Sequence, residues 1–230
     1  MIPALLFGFL ALVIFAIVWS RYRRLQRERY IRDFPFPRGL YDKLRKRRPE
    51  LELRDCALVA RGLRQYFLAY LRSGHQFVSM PSQVVDDLWH EFILYTKAYD
   101  AFCRHAFGRF LHHTPAVVLS ADKQNNAGLR RVWWHACKEE NIDPKNPLRL
   151  PLLFAIDGKL GIADGFRYTA DCRALREPVT GDGGSIHCGG DFSDSSIDGS
   201  TDGLSDSSSD SGGDGGSDGG CGGGCGGGGD

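Results

Sequence analysis

The sequence lacks the short signatures that mark the commonest nucleotide-binding and hydrolytic folds. It has no P-loop, no GxGxxG following a strand-like run, and no GxSxG elbow between a strand and a helix. Each of these motifs carries its chemistry through a defined local structure, so their absence removes the usual sequence arguments for those activities. The sequence therefore names no reaction.

Alternating hydrophobic runs and paired cysteines are also scarce. Few segments alternate with a period of two, and none is bounded like a hairpin, which predicts an all-α body. The seven cysteines are odd in number and widely spread, and no CxxC is present. This spacing is not typical of a disulfide framework. In the tail, Cys221 and Cys225 leave a metal or a disulfide open, and an inert thiol pair is the expectation.

Basic residues are absent after Arg176. Ten of the 28 acidic residues follow Glu177, so the chain up to that residue carries 29 basic against 18 acidic side chains, a net charge of +11. The last fifty residues are mostly Gly, Ser and Asp, a composition that cannot bury enough apolar surface to offset its ordering entropy. Residues 179–230 are predicted to be a disordered, acidic, glycine-rich tail.

The first residues form an apolar run without charge. Residues 2–19 would span about 27 Å as a helix, close to the roughly 30 Å of a bilayer core, and predict a transmembrane anchor. A cleaved signal peptide is the alternative, but no basic side chain precedes the run. The arginines of a basic juxtamembrane connector, 20–48, predict a single-pass protein with its N-terminus outside and its body cytoplasmic. The lipid bilayer is then an expected partner of the protein through its anchor, the arginines could also bind anionic lipid, and no specific nucleic acid is expected.

A globular body of four or five helices is predicted over residues 49–178. Apolar residues there recur at three- and four-residue spacing. On the second helix Cys103 falls near the centre of the apolar face, which predicts a buried structural thiol. The predicted helices are Leu51–Ser73, Ser82–Ala106, Ser120–Asn141 and Leu150–Leu160.

The second helix and the loop after it concentrate the groups that could bind a metal. Asp86 and His90 are four residues apart and share one side of the helix, away from its main apolar face. With His112 or His113 from the following loop they would supply two imidazoles and a carboxylate, a ligand set of zinc and non-haem iron centres. Trp89 would hold the helix from its packed face.

A simpler interpretation of the same residues needs no ion. His90 would pair with Asp86, and His112 and His113 would hold the loop through hydrogen bonds to the backbone. Asp-x-x-x-His is not the HExxH signature of zinc proteases, so the spacing alone does not decide between the two. His75 and His105 are predicted to be surface residues.

The stretch VDDLWHEFILYTKAYDAFC, followed by GRFLHHTP, resembles the glycine-rich domain-containing protein family. The resemblance covers about residues 50–175, and the glycine-rich tail is consistent with it. It implies a bacterial, membrane-anchored member of that family and supplies no activity. Its most specific positions are Val85, Asp86, Trp89, His90, Tyr99, Cys103 and the His112–His113 pair.

Two functions are therefore expected from the sequence. The first is a membrane-anchored protein whose cytoplasmic helical domain binds a protein partner. The alternative is a metal-binding module or metal-dependent enzyme centred on Asp86, His90 and His112 or His113, with zinc or iron as the ion. The sequence leaves open whether the protein is an enzyme.

Overall fold

The computed structural model describes residues 2–113, 123–170 and 186–188, with side chains from Phe7 onward and, in the sixth helix, from Ala127. These residues form seven helices and one pair of short strands, so the predicted all-α class is confirmed in its helical content. The elements are α1 (Ile2–Asp33), α2 (Leu40–Arg47), α3 (Leu53–Arg72), α4 (Gln83–Ile93), α5 (Thr96–Ala106), α6 (Lys123–Glu139), α7 (Leu152–Lys159), β1 (Arg167–Thr169) and β2 (Ile186–Cys188).

Helix α3 forms the centre of the body. It packs against α1, α2, α4, α6 and α7. A capping box starts it, in which the Glu52 backbone N–H donates to the Asp55 carboxylate at 2.9 Å. Midway along, the fully buried Phe67 ring lies 6.0 Å from Trp89 and 4.9 Å from Phe102, centroid to centroid. Burying a side chain of that size contributes about 1.5–3 kcal/mol, so α3 fixes α4 and α5 on one side of the core.

The predicted transmembrane anchor is not supported. None of the helices in the described residues combines the length and apolar character that crossing a bilayer requires. This finding contradicts the single-pass topology and the localisation that depended on the anchor.

The predicted basic connector contributes to the folded body. At the end of α1, Ile31 is fully buried and Glu28 accepts a hydrogen bond from Arg72 of α3 at 2.7 Å. Helix α2 follows within the same segment and buries Leu40 and Leu44. Spacing of four residues places these two leucines on one face, while Lys43 and Lys46 are exposed to solvent. The segment is therefore an amphipathic part of the domain.

The predicted helix Ser82–Ala106 is two helices. α4 ends at Ile93 and α5 begins at Thr96, because Tyr95 leaves the helical conformation with φ −82° and ψ 59°. The Tyr95 hydroxyl donates to the carbonyl of Arg38 at 3.3 Å, beside the start of α2. No proline or glycine lies at the break, and the helical repeat of apolar residues continues across it, so the sequence predicted one helix.

Two strands were not predicted. β1 and β2 pair in parallel, with Tyr168 opposite His187. Each has only three residues, too few for an alternating pattern to appear, and a parallel pair gives no hairpin signal in the sequence. β2 lies within the segment predicted to be a disordered tail; the remainder of 179–230 lies outside the described residues. Helices α6 and α7 lie within the third and fourth predicted helices, and the predicted cap Ser120 is also outside the described residues.

Candidate functional site

Helix α4 begins at a buried cap that comes from a distant part of the chain. Ser82, the N-cap residue, accepts a hydrogen bond from the Val85 backbone N–H at 3.3 Å. Asp157 of α7, 1% exposed, accepts from Ser82 Oγ at 2.7 Å. The same carboxylate accepts from the backbone N–H groups of Gln83 and Phe166, at 2.8 and 2.9 Å. A carboxylate at this end satisfies orphan N–H groups and complements the helix dipole, so α4 is fixed in place and direction.

Sequence reasoning missed Asp157. It lies in an apolar helix 75 residues beyond Ser82, and no local spacing links the two. An acidic residue within the apolar run of α7 is the one signal that was present, because a buried carboxylate needs donors.

The loop that carries the second histidine pair is held by a chain of buried hydrogen bonds. The Trp89 indole N–H donates to the Tyr99 hydroxyl at 3.1 Å, and that hydroxyl donates to the Leu111 carbonyl at 2.6 Å. Burial raises the pKa of Tyr99 far above its ordinary value, so the hydroxyl keeps its proton. The chain ties α4 and α5 to the backbone immediately before His112 and His113. Trp89 thus helps to position the loop that carries His112 and His113.

Asp86, His90 and His113 come together on the outer side of α4. His113 Nε2 lies 2.8 Å from Asp86 Oδ1, and His90 Nδ1 lies 3.2 Å from Asp86 Oδ2. The two imidazole rings are 4.1 Å apart, and the His113 ring also meets the Trp89 ring at 4.4 Å. One ligand atom from each of the three residues lies within 4.8 Å of the others. We call this group the Asp-His-His cluster.

The geometry of the Asp-His-His cluster is close to what an ion needs. Atoms bound about 2.1 Å from one zinc ion lie about 3.4 Å apart in a tetrahedron, and at most about 4.2 Å apart. The two ion-pair distances, 2.8 and 3.2 Å, both lie slightly below the tetrahedral value, and the 4.8 Å spread of the three ligand atoms lies above the upper limit, so binding an ion would require side-chain rotations. His90 Nδ1 also lies 2.9 Å from the Asp86 carbonyl oxygen. When Nδ1–H donates to that oxygen, Nε2 is the nitrogen left to bind an ion, because a ligating histidine is oriented through its other ring nitrogen.

Exposure differs across the Asp-His-His cluster. The side chains of His113, Asp86 and His90 are 10%, 19% and 41% exposed, so the group opens to solvent on the His90 side. Within the described part of the chain, no lysine or arginine forms an ion pair with Asp86. Two imidazoles and a carboxylate thus face one another at an accessible point.

The other histidines predicted near this region are elsewhere. His112 is exposed, and its ring packs on Phe110 at 4.8 Å instead of turning to Asp86. His105 is exposed as predicted. His75 is half-buried, contrary to the surface position predicted for it. Cys103 is fully buried, and burial raises the pKa of its thiol, so the predicted structural role is confirmed.

The simpler, ion-free interpretation also finds contacts here. The His90–Asp86 pair exists, and His113 hydrogen-bonds a side chain instead of the backbone contacts predicted for it. The four-residue spacing was enough to predict the contact between His90 and Asp86. Which of His112 and His113 reaches Asp86 depends on how the loop crosses α4, and the spacing does not determine that.

Comparison with known proteins gives a family and no activity. Residues 26–192 match the sequence model of the UCP032817-like family. No curated protein and no solved structure matches the chain. The resemblance to the glycine-rich domain-containing protein family was therefore wrong: the match begins in the second half of α1 and stops before most of the glycine-rich tail, which carried part of that resemblance. Because the match covers most of its length, the chain belongs to the UCP032817-like family.

Proposed function

We propose that the domain binds one divalent transition-metal ion, zinc or ferrous iron, through Asp86, His90 and His113. One observation carries the proposal: ligand atoms from a helix and from a separate loop lie within 4.8 Å of one another. Two imidazoles and one carboxylate suit both ions. The buried hydrogen bonds that place the loop supply the rigid support that metal sites require.

Three protein ligands favour a reactive ion over a structural one. Structural zinc sites are closed by four protein ligands, whereas catalytic zinc sites use three and keep a position for water or substrate. The solvent-facing side of the Asp-His-His cluster, at His90, provides such a position. A bound ion there would acidify water or polarise a carbonyl oxygen, so metal-assisted hydrolysis is the class of reaction this arrangement fits.

The predicted protein-interaction role stays a prediction. It places partner binding in the helical domain, residues 49–178. The exposed apolar side chains on the first half of α1, among them Phe7, Leu12 and Phe15, lie outside that domain and form a separate apolar surface of the kind that commonly marks contacts. The two roles make different demands on the Asp-His-His cluster, because partner binding by the helical domain needs no bound ion and tolerates His90→Ala if folding survives, and metal binding does not.

The test is metal content and metal titration of the purified full-length chain. The wild-type protein is expected to bind one Zn²⁺ or Co²⁺ per chain and to gain thermal stability, by about 2.7 kcal/mol at a free metal concentration of 100 times Kd. Asp86→Asn keeps the shape of the side chain and removes its charge. It is expected to weaken binding by more than about 100-fold, beyond the 10–100-fold typical of residues that only support a ligand.

Asp100→Asn is the matched control. Asp100 is an acidic residue of α5 that pairs with Arg104 at 2.9 Å, away from the histidines. This variant should bind metal like the wild type. A wild-type protein that neither contains nor is stabilised by zinc, cobalt or iron, or an Asp86→Asn variant that binds as tightly, would contradict the proposal.

A further inference from the structure

A cavity of about 390 Å³ lies on the Trp89 side of the Asp-His-His cluster. Its volume falls within the roughly 300–1,000 Å³ of small-molecule sites. It lies between the end of α3, the segment 75–80 and the loop 109–112. Aromatic rings dominate its walls, contributed by Tyr66, Tyr70, Phe77, Trp89 and Phe110. Such walls suit a flat, apolar ligand body.

The cavity lining holds one arginine and no acidic side chain. The arginine is Arg109, and His75 and His112 also line the cavity. Arg27 of α1 approaches the same region, because a Cβ placed on Gly108 would lie 2.7 Å from its guanidinium. No ion pair of Arg27 or Arg109 occurs within residues 2–113, 123–170 and 186–188. Two arginines without acidic partners beside an aromatic cavity favour an anion.

His75 is held in an unusual conformation at the same cavity. Its φ is 68°, in the left-handed region that costs a side-chain-bearing residue about 1 kcal/mol or more. Its ring packs edge-on against Tyr70 at 5.3 Å, and its Nε2 atom is buried without a hydrogen-bond partner in the described structure. Burial and the nearby charges of Arg109 and Arg27 lower the pKa of His75, which favours the neutral form of the ring.

We propose that this cavity binds a small carboxylate with a flat apolar body, its carboxylate held by Arg109 and its body stacked among the aromatic walls. The guanidinium group can hold a carboxylate through two parallel hydrogen bonds, a geometry that a neutral ligand cannot match. Arg109 is exposed, so its charge stands at the mouth while the rings form the interior.

This pocket is separate from the proposed metal site and does not depend on it. The two share Trp89, whose ring meets His113 on one side and lines the cavity. They also share the loop in which His112 faces the cavity and His113 faces Asp86. Asp86 does not line the cavity and Arg109 is not in the Asp-His-His cluster, so a variant at either of these residues should leave the other site able to bind.

The experiment compares 2-naphthoate with 2-naphthamide, which has nearly the same shape and no charge. Binding to the full-length chain is followed by calorimetry and by thermal shift, with metal removed by a chelator. The acid should bind saturably at one site, and the amide on the order of tenfold more weakly. Arg109→Gln should weaken the acid by a similar factor and leave the amide unchanged.

Arg104→Gln is the control, because Arg104 is an exposed arginine of α5 outside the cavity, paired with Asp100. It should bind the acid like the wild type, and so should Asp86→Asn, which separates this site from the metal site. Equal affinity for acid and amide, an unchanged affinity in Arg109→Gln, or no saturable binding of the acid would each overturn the proposal.

Discussion

Asp86 and Asp87 are adjacent in α4 and face two different regions of the molecule. Asp87 is 1% exposed and pairs with Arg47 and Arg48, at 3.1 and 2.7 Å. Asp86, 19% exposed, faces His90 and His113 instead. Successive residues point about 100° apart around a helix, so one step in the chain moves a carboxylate from the core to an accessible edge.

The difference lies in the partners of each carboxylate. Arginine is always charged and binds no metal, so the Asp87 side neutralises a buried charge and holds α2 against α4. Imidazole loses its charge near neutral pH and is a common metal ligand, so the Asp86 side can accept an ion. The Asp87 ion pairs stabilise the fold, and the residues around Asp86 are suited to binding a metal ion.

The largest loss of stability is expected from removing the ion pairs of Asp87. Asp87→Asn should lower the free energy of unfolding by about 3 kcal/mol, at the low end of the range for a broken buried ion pair. The low end applies because Arg48 keeps its contact with Asp164 at 2.6 Å and Arg47 is half exposed. Urea denaturation measures the change.

Asp86→Asn is the matched comparison for that experiment, made one residue away with the same chemical change. It should cost less than about 1 kcal/mol without metal, as expected for an accessible pair. If both variants lost the same stability, the proposed division between a structural and a chemical side of α4 would be incorrect.

Tyr99→Phe is expected to have a smaller effect, which combines a loss of stability with a loss of metal affinity. This change removes the hydroxyl that accepts from Trp89 and donates to the Leu111 carbonyl. Leaving those buried groups without a partner should cost about 1–3 kcal/mol. The loop carrying His113 would also lose its main tether, so affinity for Zn²⁺ should fall about 10-fold or more in titration.

Tyr95→Phe provides the control for that loss. The Tyr95 hydroxyl donates to the Arg38 carbonyl in a solvent-exposed hydrogen bond, away from the histidine loop. Its removal should leave metal affinity unchanged. An equal loss of affinity in both variants would show that the Trp89–Tyr99–Leu111 chain does not position His113.

What could be predicted from the sequence followed local periodicity. The four-residue spacing of Asp86 and His90 placed them on one side of a helix, and the apolar repeat placed Cys103 in the core. Both inferences involve contacts within one or two turns. For these, the geometry of the helix alone fixes which side chains meet.

Contacts between distant segments could not be predicted in this way. The Asp157 cap joins residues 75 apart, and the break at Tyr95 has no proline or glycine to announce it. The half-buried position of His75 follows from packing against Tyr70 and from a backbone turn with positive φ. Each depends on how helices pack, which a single helical repeat does not encode.

The smallest expected effect distinguishes the two histidines that the sequence could not separate. His112→Ala should change Zn²⁺ affinity less than about twofold, because its ring packs on Phe110 and lies outside the Asp-His-His cluster. His113→Ala should abolish Zn²⁺ binding in the same titration, since a direct ligand is lost. His112 does line the aromatic cavity, so its removal should alter 2-naphthoate affinity instead. If His112→Ala weakened zinc as strongly as His113→Ala, the loop would adopt a different register over α4 when the ion binds.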